Sequence, residues 1–126
     1  MQTKGQMEAE ISNAFIKFER EYMGRGPETA KTYILDDMVL VRLIGILTPA
    51  EKNLAKIEDV QHGRNLIKQV RNELIEKARP QLNVIVEDIT GRKVKSLHTD
   101  ISTKTAERFI VLTLEDFEGE TTGSCS

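Results

Sequence analysis

The chain has 126 residues with 18 basic and 20 acidic side chains, a formal net charge of −2 and 39% hydrophobic content. That composition fits one globular domain that holds its core without metal or disulfide. With a pI near 5.7 it has no overall electrostatic drive toward nucleic acid or anionic lipid, so a nucleic-acid binder requires a basic face hidden by the net charge. The single cysteine, Cys125, excludes an intrachain disulfide, and Met1–Gln6 lacks the apolar core of a signal peptide. A cytoplasmic protein without membrane insertion and without a cofactor is expected.

From Gln6 to Met23 the apolar residues Met7, Ile11, Phe15, Phe18 and Tyr22 recur at helical spacing, and Gly24-Arg25-Gly26-Pro27 ends the helix. Residues 30–47 are β-rich on both sides of Asp36-Asp37, which predicts a hairpin. Thr48-Pro49-Ala50-Glu51 is a capping box opening a short helix, predicted to run to about Ile57. A long helix follows on Ile67, Val70, Leu74, Ala78, Leu82, Ile85 and Ile89, with Gly91 closing it and Pro80 predicting a kink or break near 77–79. Its charges Lys68, Arg71, Lys77 and Arg79, balanced by Glu73 and Glu76, read as a solvated face. A second hairpin pairs Val94–Ile101 with Arg108–Leu114. Residues 1–117 make one domain, and 118–126 read as a disordered tail.

The predicted fold is α+β. Two helix-strand-strand units form a four-stranded, mainly antiparallel sheet, with helices on one face. Strands 38–47 and 109–114 are apolar at nearly every position, which predicts central strands covered on both sides. Two helices cover one face, so the second is expected at a homodimer interface.

Candidate binding residues follow from chemistry out of place. Arg25, between two glycines, presents a guanidinium to a small anion, helped by Arg92 if the halves obey a pseudo-twofold; the bland reading is a turn. Arg42, in an apolar strand, either pairs with a buried acid or lies at an interface. His98 and Asp100 lie two apart on one strand with Ser96 before them, which allows a carboxylate-oriented imidazole at the dimer seam but equally a polar strand face. Asp36-Asp37 reads as a turn before a cation site, and two histidines are too few for a zinc centre.

Several blocks, taken in order, resemble a known family: Glu21-Tyr22-Met23-Gly24-Arg25-Gly26-Pro27, Asp37-Met38-Val39-Leu40-Val41-Arg42, Leu47-Thr48-Pro49-Ala50-Glu51, Ala78-Arg79-Pro80, and Ser96 to Thr105. Over about residues 3–116 the chain is similar to the MpsC-like family of small bacterial proteins. The resemblance implies a soluble accessory component of a sodium-translocating, membrane-potential-generating system linked to inorganic-carbon supply. It carries no catalytic residues over. It favours an accessory or regulatory protein that binds a membrane transport complex or a small anion such as bicarbonate. The rivals are a small enzyme using His98 and Asp100, and a nucleic-acid or signalling module.

Overall fold

Thr3 accepts the Gln6 backbone N–H while the Gln6 side chain accepts that of Thr3, a reciprocal cap that opens helix α1 (Lys4–Met23). Gly24 closes it at φ 85°, a left-handed conformation that costs glycine little. The computed structural model describes residues 2–56 and 59–115. Strands β1 (Thr29–Leu35) and β2 (Met38–Ile44) form the first hairpin about Asp36-Asp37, with Asp36 at φ 54°. The Thr48–Glu51 capping box opens α2 (Pro49–Leu54), which stops short of the predicted end near Ile57; that residue lies outside the described ones. Helix α3 (Val60–Thr90) is closed by Gly91, and β3 (Val94–Ser102) and β4 (Glu107–Leu114) form the second hairpin. The predicted tail, 118–126, also lies outside the described residues.

The sheet is antiparallel throughout, in the order β1-β2-β4-β3, so the two apolar strands are central as expected. Helices α1 and α3 pack on the same face. Their layer meets Val39, Val41 and Leu43 of β2 and Ile110, Leu112 and Leu114 of β4, all buried with Ile11, Phe15, Ile67, Ala78 and Leu82. Each of the valine, leucine, isoleucine and phenylalanine side chains among these contributes roughly 1.5–3 kcal/mol on leaving water.

Two expectations are corrected, and of the kink or break expected near 77–79 the break does not occur. Pro80 does not break α3, which runs on to Thr90. Proline deprives the Glu76 carbonyl of its usual donor, but Pro80 is exposed, on a side of the helix where solvent reaches the backbone. The buried stripe of α3 is Ile67, Arg71, Ile75, Ala78, Leu82 and Val86, turned by one position from the predicted one, and Val70 is exposed. Strand β2 ends at Ile44 rather than Leu47 because Gly45, at φ 72°, turns the chain inward. There the N–H groups of Gly45 and Ile46 both donate to the Ala106 carbonyl, which locks the end of β2 to the second hairpin loop.

Candidate functional site

Strand alternation sends every second residue away from the helices. Because opposed residues in a ladder share a face, the registers place these side chains in rows across all four strands. One row runs Leu35, Met38, Thr113, Ser96; the next Tyr33, Leu40, Val111, His98; the third Lys31, Arg42, Phe109, Asp100. No helix among the described residues covers them. Leu35 is 48% exposed, Tyr33 42%, Phe109 39% and Met38 38%. An antiparallel sheet with one wet face normally carries polar residues there, so the open side of β1, β2 and β4 is an apolar surface of the kind that marks an interaction site.

Charged and polar groups border and cross this surface. Arg42 donates from Nε to Glu107 Oε2 at 2.6 Å and lies over the Phe109 ring, 5.6 Å from its centroid. It therefore pairs with an acid of the same chain while half-exposed on the open face. His98 is hydrogen-bonded through Nε2 to Ser96 Oγ at 3.2 Å, and Ser96 also meets Thr113. Asp100 caps the Ile101 N–H at 2.8 Å and lies 3.7 Å from Lys68. These contacts give His98 and Asp100 separate partners, with no carboxylate-imidazole hydrogen bond between them.

Arg25 and Arg92 are at opposite ends of the sheet. Arg25 donates to the Leu47 carbonyl at 3.0 Å, beyond the end of β2. Arg92 donates to the Asp36 and Glu115 carbonyls at 3.2 and 2.8 Å, before its start. Seven strand residues, roughly 20 Å, lie between. The structure therefore does not bring the two guanidiniums together: each binds backbone carbonyls at its own end of the sheet.

A charged network missed in the sequence lies in the helical layer. Arg71, expected on a solvated face, is 2% exposed. It donates to Glu19 at 3.0 Å, to both Glu51 oxygens at 2.7 and 2.8 Å, and to the Ile46 carbonyl at 2.8 Å. Burial pushes the Arg71 pKa down, but the two carboxylates outweigh it and raise it above its ordinary value. Burial pushes Glu51 up, and hydrogen bonds from Arg71 and the Thr48 backbone reverse this, holding it below the ordinary carboxylate value. Arg108 of β4 is also buried, donating from Nη1 to Thr99 Oγ1 at 2.7 Å, while its Nε has no hydrogen-bond partner among the described residues. Burial lowers its pKa, and Arg71 adds to this while Glu19 opposes it. A cavity of about 10 Å³, room for one water molecule, lies against Glu19, Arg71 and Arg108. Two guanidiniums against two carboxylates leave no surplus charge for an anion.

Among the described residues no group of three or more His, Cys, Asp or Glu is placed to hold a metal ion. No helix among them is long and apolar enough to cross a membrane. The family model described as Na+-translocating membrane potential-generating system (MpsC) matches residues 3–116. The chain belongs to the MpsC family. Within the curated proteins, this MpsC chain is 46% identical over 112 residues to "Uncharacterized protein YbcI" of Bacillus subtilis (strain 168), covering 89% of this chain and 88% of that one. It is 28% identical over 93 residues to "Uncharacterized protein YrhF" of the same organism, covering 73% and 74%. No solved structure matches it.

Proposed function

We propose that this MpsC-family chain is a cytoplasmic accessory component of a Na+-translocating, membrane-potential-generating system, and that it acts by binding proteins rather than by turning over a substrate. Family membership supplies the system. The observation that carries the mode of action is the open sheet face, where Tyr33, Leu35, Met38 and Phe109 stand exposed together with no helix of the described residues over them. A face of that chemistry is completed by another polypeptide. The bicarbonate reading draws no support from Arg25 and Arg92, which are occupied and far apart. The link to inorganic-carbon supply enters through the system.

The test is recovery of the tagged full-length chain from membranes solubilised in mild detergent, from cells grown under carbon limitation. The expected result is co-purification of the sodium-translocating membrane subunit, identified by mass spectrometry. Its absence from otherwise intact preparations overturns the proposal.

A further inference from the structure

We infer that a second copy of this chain completes the open sheet face, stacked about a twofold axis parallel to the strands so that Lys31 of each protomer meets the partner's Asp100. The inference rests on reading that face as a protein-binding surface and names its occupant.

The sheet edges are closed to a partner strand at several points. On β1 the Ile34 N–H donates to Glu8 of α1 at 2.8 Å. On β3 the Val94 N–H donates to Glu87 at 2.9 Å, and Ile101 is capped by Asp100. Side chains that satisfy edge donors blunt growth by strand addition, which leaves the face as the surface for association.

Charge placement selects the occupant. Lys31 on β1 and Asp100 on β3 end the same row, with Arg42 and Phe109 between them. The face is thus positive at one margin, negative at the other and largely apolar in the middle. Its complement must carry the reverse order, which the same face supplies when turned over. Rotation about an axis parallel to the strands keeps each row and reverses it. Lys31 then faces the partner's Asp100, and Arg42 faces the partner's Phe109. Rotation about an in-plane axis across the strands instead stacks β1 on β1 and sets the two lysine margins against each other, which like charge disfavours.

Aligned sheets pack about 10 Å apart with a relative twist of about 30°. That twist displaces the margins by roughly 4 Å along the strands, within the reach of a lysine side chain. Asp100 is available for this contact, since it is 81% exposed and its approach to Lys68 is loose at 3.7 Å. Lys31 makes no ion pair among the described residues. Twofold symmetry forms the pair twice per dimer, so one substitution changes two contacts.

The experiment is sedimentation velocity of the full chain across a concentration series at low salt. Wild type is expected to dimerise, and Asp100→Lys or Lys31→Glu alone to weaken dimerisation by about tenfold or more through two lost attractions and two new repulsions. The double swap, Lys31→Glu with Asp100→Lys, is expected to restore it. Circular dichroism is expected to be unchanged, because both positions are exposed. A wild-type monomer up to the solubility limit overturns the second copy as occupant. A dimer indifferent to both swaps, or weakened without rescue, overturns this stacking. If the membrane subunit still co-purifies in any of these cases, the accessory role stands while this inference falls.

Discussion

Arg71, midway along α3, holds Glu19, near the end of α1, at 3.0 Å with both side chains out of solvent. The same guanidinium grips Glu51 bidentately and so ties in α2, a six-residue helix that buries none of its own residues. Three helices therefore meet on one side chain. Removing it leaves two carboxylates short of a cation, one of them fully buried. Arg71→Met is expected to cost about 3–5 kcal/mol in urea unfolding, and adding Glu19→Met to recover part of that loss.

The same network sets an acid sensitivity. The Glu51 carboxyl is held below its ordinary value of 4.5, so its contribution is fully present above that pH and is lost as pH falls through the lower folded value. Wild type is expected to lose stability in this window more steeply than Glu51→Gln. Urea midpoints measured at successive pH values between about 6 and 3 check the difference in slope.

Gly45 is required twice over. Its φ of 72° is strained for any other residue, and an added Cβ meets the Glu28 side chain at 2.5 Å. Gly45→Ala is expected to destabilise by about 1–3 kcal/mol in thermal or urea unfolding. Pairing it with Glu28→Ala removes the two nearest clashing atoms but leaves the residue-28 Cβ at 2.8 Å and the strained dihedral, so only part of the loss should return.

Arg25 and Arg92 act as separate braces at opposite ends of the sheet, each on backbone carbonyls. Arg25→Ala and Arg92→Ala are each expected to cost about 0.5–1.5 kcal/mol, and the double variant to show the sum, since sites this far apart add. A coupling energy between them, measured by a double-mutant cycle, would contradict the separation.

Both hairpins, the Thr48 capping box and the pair of central strands were legible because each is written in local spacing. The strands showed their double-sided apolar character in Met38–Ile44 and Phe109–Leu114, and the structure leaves one of those sides uncovered. Arg71 was missed for a physical reason. A charged residue on a helix is assigned to water unless its partners are known, and Glu19 and Glu51 lie 52 and 20 residues away in sequence. A signal was present all the same: Arg71 stands four residues after Ile67 and four before Ile75, in the middle of the buried stripe. Arg25 and Arg92 show the converse. Their matching junctions were visible, but which end of the sheet each junction occupies depends on strand order.

The carboxylates that cap the outer strands also bear on how assembly ends. Glu8, Glu87 and Asp100 occupy backbone donors that an added strand needs, so the sheet resists lengthening into a continuous ribbon. What remains open is a single apolar side, and a molecule with one such side associates once through it rather than in series. Growth by this route therefore stops at a finite assembly, even at high concentration.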